Sequence, residues 1–205
     1  MLRKKHLKIK WQVCVTALFF WIGAVHAGDN ISPQYIFSLG KLKPRDSMTT
    51  LKVGDDAPNF SLPSLGGLNI SLREYLWKKN VVISFIPAAW SPVCSRQWPE
   101  YNKAKEMFEK NDAVLFGISV DNSPALFSWA KNMCGVDGSL WFTVLSDFSP
   151  HGGVAKQYGV LRSDNLTERA LFVIDKHGVI RFIDIHDINK KPPLKELQTA
   201  LEDLQ

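Results

Sequence analysis

Residues Val81-Val82-Ile83-Ser84-Phe85-Ile86 form a nearly unbroken, β-branched apolar run that ends at Pro87. Strands that face solvent alternate apolar and polar side chains, whereas a continuous run belongs to a strand covered on both faces. Such a strand needs helices packed on its sheet, so this one segment demands an α/β architecture. The rest of the chain supplies the parts. Ala113–Val120 (AVLFGISV) is a second buried strand, and Phe142–Leu145, Ala170–Ile174 and Val179–Ile185 read as three more. Asp175-Lys176-His177-Gly178 joins the last two as a hairpin turn. Asn59–Leu62 and Leu68–Ile70, turned by Gly66-Gly67, predict a short hairpin near the start. Helical spacing appears over 93–110, with Trp98, Tyr101, Lys105 and Phe108 on one side and a kink or late start expected at Pro99. Ser123-Pro124 opens a helix to Met133 with Pro124 in its first position. His151–Tyr158 and Leu194–Leu204 complete the set, and Ser71 with Glu74 predicts a capping box on a short helix. The expected fold is a central mixed β-sheet with helices on both faces.

The domain begins near Leu51. Residues 28–50 scatter Gly, Pro, Asn and Ser without a period and read as a linker or an extended N-terminal arm. Residues 1–27 have the parts of a signal peptide: a basic start, an apolar run of about 15 residues from Trp11 to Val25, and small side chains at Val25 and Ala27. Cleavage is expected after Ala27. The run falls short of the ~20 residues of a spanning helix, and an uncleaved membrane anchor is the alternative. Export implies the periplasm of a bacterium. The formal net charge of +5 comes from this segment: five of the 25 basic residues lie there with no acidic one, leaving 20 basic against 20 acidic. Nothing in the remainder calls for a nucleic-acid partner.

Of the three cysteines, Cys14 leaves with the signal, while Cys94 and Cys134 remain in an oxidising compartment. Two cysteines in so long a chain point to chemistry rather than to a disulfide scaffold. Cys94 follows a buried strand and the loop Pro87-Ala88-Ala89-Trp90-Ser91-Pro92-Val93, at the first turn of a helix. Free N–H groups and the dipole at that end stabilise negative charge, so the position favours the nucleophilic thiolate.

Pro87, Ser91 and Cys94 fit the Pro-x-x-x-Thr/Ser-x-x-Cys signature, and in this respect the chain resembles the peroxiredoxins. Val53–Phe60, Gly117–Asp121, Leu145–Asp147 and Arg169–Asp175 are further matching blocks. The likeness is to bacterial one-cysteine or atypical two-cysteine members of the alkyl hydroperoxide reductase and thiol-specific antioxidant group. It implies a thioredoxin-like fold and a thiol peroxidase. Cys94 would attack the peroxide and become a sulfenic acid. Arg169 would hold the thiolate and donate to the developing oxyanion. The Ser91 hydroxyl, where the family usually has Thr, would position the peroxide, and Pro87 would limit water. Cys134 is either a resolving cysteine or a packed residue at a helix end, with recycling by an outside thiol. No cofactor is implied beyond an external thiol reductant such as a thioredoxin- or glutaredoxin-like protein.

A dithiol disulfide reductase on the same fold needs Cys-x-x-Cys, and here the stretch is Ser91-Pro92-Val93-Cys94. A redox sensor or binding domain shares the first chemical step and stays open. His151, His177 and His186 lack metal-ligand spacing and read as structural or solvated. Trp90, Trp98, Trp129, Trp141 and Phe142 read as core or pocket rim, although an exposed pair would suit a homodimer face.

Overall fold

The computed structural model describes residues 35–133 and 140–204. The expected signal peptide and Cys134 lie outside the described residues.

Five strands form the central sheet: β3 (Asn80–Phe85), β4 (Ala113–Ser119), β5 (Thr143–Ser146), β6 (Arg169–Ile174) and β7 (Ile180–His186), in the order β5-β4-β3-β6-β7. β3, β4 and β5 run parallel, and β6 and β7 are antiparallel additions, so the sheet is mixed. A two-stranded hairpin, β1 (Ser61–Pro63) and β2 (Asn69–Ser71), forms a second sheet, and the turn that follows β1 meets β5 through a Leu65 N–H to Val144 carbonyl bond of 3.2 Å. The period of two divides β3 between two cores. Val82 joins the core built by α1 (Cys94–Lys103), α2 (Lys105–Lys110), α3 (Ser123–Met133) and α5 (Leu194–Glu202), with Trp98, Tyr101, Phe108, Trp129 and Leu197 at its heart. Val81, Ile83 and Phe85 face the other core, closed by the hairpin and by α4 (Gly153–Gln157) through Leu62, Val154 and Tyr158. Helices therefore cover both faces, but unequally.

Several local expectations change in detail. The helix around Pro99 begins at Cys94 and runs through the proline; its interruption falls at Ala104, where ψ is 20°. Pro99 costs a backbone hydrogen bond, but the break comes one turn later. Asn122 rather than Ser123 caps α3, its side-chain oxygen accepting the Ala125 N–H at 2.9 Å, which puts Pro124 in the second position. The segment after Ser71 makes one 3₁₀ turn, Leu72–Glu74. Trp98, Trp129 and Phe142 are buried, and Trp90 and Trp141 partly so. None of the five forms an exposed pair; the large side chains that do face solvent include Trp77 and Phe127.

Residues 35–50 are an extended arm laid along the domain. Phe37 N–H donates to the Trp90 carbonyl at 2.9 Å, and Ile188 N–H donates to the Pro44 carbonyl at 3.0 Å.

Candidate active site

The site lies at the carboxyl end of β3, where the chain leaves the sheet. The loop after it is held from below. Thr167 Oγ1 donates to the Ile86 carbonyl at 2.7 Å, and Ala89 N–H donates to Asp121 Oδ2 at 2.7 Å. That carboxylate also accepts from Ser119 Oγ at 2.7 Å. Trp90 occupies the left-handed region at φ 60°, unfavourable for a side chain with a Cβ, and thereby turns the loop into α1. Helical backbone is already present at Val93.

Cys94 is therefore the first residue of α1 and fully buried. Arg169 opens β6, whose residues 169, 171 and 173 share one face. Leu171 and Val173 belong to the core that holds α1, and Arg169 points the same way. Its Nη1 and Nη2 each lie 3.5 Å from Cys94 Sγ. The guanidinium is 1 % exposed, and its other partners are neutral. The Ile188 carbonyl accepts from Nε at 3.2 Å and Nη2 at 3.0 Å, and Gln97 Oε1 accepts from Nη1 at 2.5 Å. The cation thus sits in a buried site with its fork on the sulfur and no carboxylate among these hydrogen-bond partners. Such an arrangement stabilises an anion at the sulfur.

Gln97 lies one helical turn after Cys94, on the same face. Its Nε2 donates to the Tyr101 hydroxyl at 3.0 Å. Burial pushes the Tyr101 phenol above its ordinary range, so it stays neutral as an acceptor. Ser91 is buried beside the site; its hydroxyl donates to the Ala88 carbonyl at 3.0 Å. With its proton so engaged, its lone pairs face the role of accepting an O–H. Pro87, Ser91 and Arg169 line one cleft of about 350 Å³, together with arm residues 38–42.

Four of the residues singled out in the sequence (Pro87, Ser91, Cys94 and Arg169) are thus brought together. Gln97, the Ile188 carbonyl, Asp121 and Thr167 were missed. Gln97 was within reach, being three residues after Cys94 on a helix; a backbone carbonyl has no signature in a sequence. The histidines lie elsewhere: His177 against the Trp77 ring, His151 on the Asn165 carbonyl, and His186 beside Asp184 at 3.2 Å. Among the described residues no group of three His, Cys, Asp or Glu could hold a metal ion.

A buried thiol at a helix start, gripped by an arginine fork on a thioredoxin-like sheet, defines a thiol-chemistry protein of the α/β class. The chain belongs to the AhpC/TSA family, whose model matches residues 53–183. Alkyl hydroperoxide reductase E of Mycobacterium tuberculosis is 34% identical over 136 residues, covering 66% of this chain and 86% of that one. The chloroplastic 2-Cys peroxiredoxin BAS1 of Hordeum vulgare is 30% identical over 159 residues, 75% of each chain. The solved structure of Mycobacterium tuberculosis AhpC superposes with a TM-score of 0.67 at 25% identity, covering 76% of this chain and 93% of that one.

Proposed function

We propose that the protein is a thiol-dependent peroxidase in which Cys94 is the peroxide-attacking thiolate. The observation that carries this reading is the pair of 3.5 Å contacts from the Arg169 fork to Cys94 Sγ in a buried site. The Cys94 thiolate attacks one oxygen of R–O–OH. The O–O bond breaks, sulfur gains the hydroxyl as a sulfenic acid, and RO⁻ departs with the electron pair and takes up a proton as ROH. Arg169 serves both ends of this step, holding the thiolate before it and the departing oxyanion after it. The N–H groups of Val93 and Cys94 add donors at the first helical turn. Ser91 accepts the peroxide O–H, and Pro87 shields the sulfur from water.

A thiol then condenses with the sulfenic acid, releasing water and forming a disulfide; an external thiol reduces it if the first thiol was external, and two external thiols or a dithiol reduce it, becoming a disulfide themselves, if the first thiol was Cys134. We assign the first of these thiols to Cys134 or to an external protein of thioredoxin- or glutaredoxin-like chemistry. Cys94→Ser is expected to abolish peroxide consumption, while Cys134→Ser changes only which reductant sustains turnover. Peroxide consumption by Cys94→Ser at the wild-type rate would refute the assignment.

We further infer export to a bacterial periplasm, on the strength of the basic and apolar segments of residues 1–27. N-terminal sequencing of the protein recovered from cells tests it: a first residue of Gly28 supports a cleaved signal, and Met1 supports an anchor.

A further inference from the structure

An arginine has five N–H donors in a rigid fork, and Arg169 uses all of them. Nη1 and Nη2 each give one to Cys94 Sγ, and Nη1 gives its other to Gln97. The remaining two, from Nε and Nη2, both go to the Ile188 carbonyl at 3.2 and 3.0 Å. A planar group held twice on one oxygen points where that oxygen places it. Ile188 lies two residues past the end of β7 at His186, in a turn closed by Lys190 N–H on the Asp187 carbonyl at 2.9 Å. The aim of the fork depends on what fixes this turn.

The N-terminal arm fixes it. Ile188 N–H donates to the Pro44 carbonyl at 3.0 Å. Asn189 Oδ1 accepts the Leu42 N–H at 3.0 Å, and Asn189 Nδ2 donates to the Leu42 carbonyl at 2.9 Å, so one side-chain amide pairs both backbone groups of the arm residue. Nδ2 and the Asn189 N–H also donate to Asp187 Oδ1, each at 3.0 Å, which tightens the turn. The arm is anchored to the domain on either side of these contacts. Phe37 N–H donates to the Trp90 carbonyl at 2.9 Å, and Asp46 and Ser47 N–H donate to Glu168 Oε1 at 2.6 and 2.7 Å. Glu168 Oε2 is paired with Arg162 Nη1 at 2.9 Å, and the same nitrogen donates to the Lys43 carbonyl at 3.2 Å. Residues 42–44 precede and residues 188–189 follow the stretch 53–183 that the family model matches.

We propose that Asn189 is a positioning residue for Arg169: it docks the 187–190 turn on the arm and so sets the Ile188 carbonyl that aims the guanidinium at Cys94. Reacting groups work only when held within about 0.5 Å of their productive geometry. A carbonyl that drifts takes the fork with it, which weakens both the hold on the thiolate and the donation to the departing oxygen. The inference deepens the peroxidase reading and rests on it for the effect on rate; the effect on the thiolate stands apart from turnover.

Two variants test it. Asn189→Ala removes the amide, and Leu42→Pro removes one donor from the arm side while leaving Asn189 in place. The first readout is the pH profile of Cys94 alkylation by iodoacetamide in reduced protein, followed by peptide mass mapping; its midpoint reports ionisation of the sulfur, whereas a change in access alters only its height. The midpoint is expected to move to higher pH by about half a unit or more in Asn189→Ala, and in the same direction in Leu42→Pro. The second readout is the rate constant with hydrogen peroxide at pH 7 by stopped flow, which is expected to fall about three- to thirtyfold in Asn189→Ala. A lowered denaturation midpoint with the alkylation profile within about 0.2 pH unit of wild type in both variants would make Asn189 purely structural and overturn the proposal. If Asn189→Ala does not fold, Leu42→Pro decides on the same terms. Wild-type protein that leaves hydrogen peroxide unconsumed fails the peroxidase reading, while the alkylation profile still decides this one.

Discussion

Cys94 and Arg169 are 75 residues apart in the chain and meet because β6 pairs with β3, at whose end Cys94 begins its helix. What the site needs at 169 is a fork: Arg169 places two nitrogens on one sulfur and still reaches the Ile188 and Gln97 acceptors. A lysine there carries its three donors on a single nitrogen and cannot reproduce the fork. Arg169→Lys is therefore expected to lower the rate of peroxide reduction by about a hundredfold or more, measured by stopped flow with hydrogen peroxide. A drop of less than about threefold would show that charge suffices without the fork. Asp46 makes a second prediction at this scale. Ser163 donates to its carboxylate from Oγ at 2.6 Å and from N at 2.8 Å, with Lys43 at 3.2 Å, and these bonds hold its pKa well below the usual carboxylate range. A carboxylate depressed in the fold contributes stability above its unfolded value and loses it as pH falls from there through the folded value. The difference in urea midpoint between wild type and Asp46→Asn is thus expected to be constant at about pH 5 to 7 and to narrow below about pH 4. A difference that widens on acidification contradicts this. Cys94 was legible at this scale because position on a strand–loop–helix unit is itself a chemical signal. Ile188 was not legible, because only its backbone carbonyl matters.

Helix α1 carries Cys94 to its place by lying close on the sheet, and Gly117 of β4 permits the approach. A Cβ at 117 would lie 2.5 Å from the Trp98 ring, whose Nε1 donates to Ser84 Oγ at 3.3 Å. Gly117→Ala is expected to destabilise the fold by about 1–3 kcal/mol in chemical denaturation and to slow peroxide reduction by moving the start of α1. Unchanged stability would mean that the indole yields freely. A second element depends on a side chain distant in sequence. Asp147 accepts the Val154 and Ala155 N–H groups at 3.0 and 2.8 Å and so caps the five-residue α4. Asp147→Ala leaves both donors buried, at a cost of about 1–3 kcal/mol; denaturation midpoints measure it, and a neutral result would show that the turn re-forms without the cap. Elements were the most legible scale, because periods of 2 and 3.6 mark them directly. The misplacements were at ends. The break at Ala104 carries no glycine or proline, and the cap of α3 was Asn122, one residue before the Ser-Pro pair that drew attention.

Across the whole molecule, two cores share one sheet, and an arm outside both completes the wall of the site. The arm was the least legible part: its backbone hydrogen bonds leave no period in residues 35–50, and nothing in the sequence marks Glu168 as its anchor. Glu168→Gln removes the buried one of Arg162's two carboxylate partners, leaving the more exposed Asp164 at 3.2 Å, and weakens the acceptor for Asp46 and Ser47. It is expected to cost on the order of 3 kcal/mol and to speed proteolysis within residues 35–50, whereas unaltered cleavage would show that the remaining attachments hold the arm. On the proposed mechanism Cys94 is a thiolate poised for peroxide. Intact mass followed by peptide mapping, after reduced protein meets one equivalent of hydrogen peroxide, tests it most directly. The peroxide is expected to be consumed and oxidation to map to Cys94, either as one added oxygen or as a disulfide to Cys134 within one chain. Persisting peroxide with an unchanged mass would contradict it.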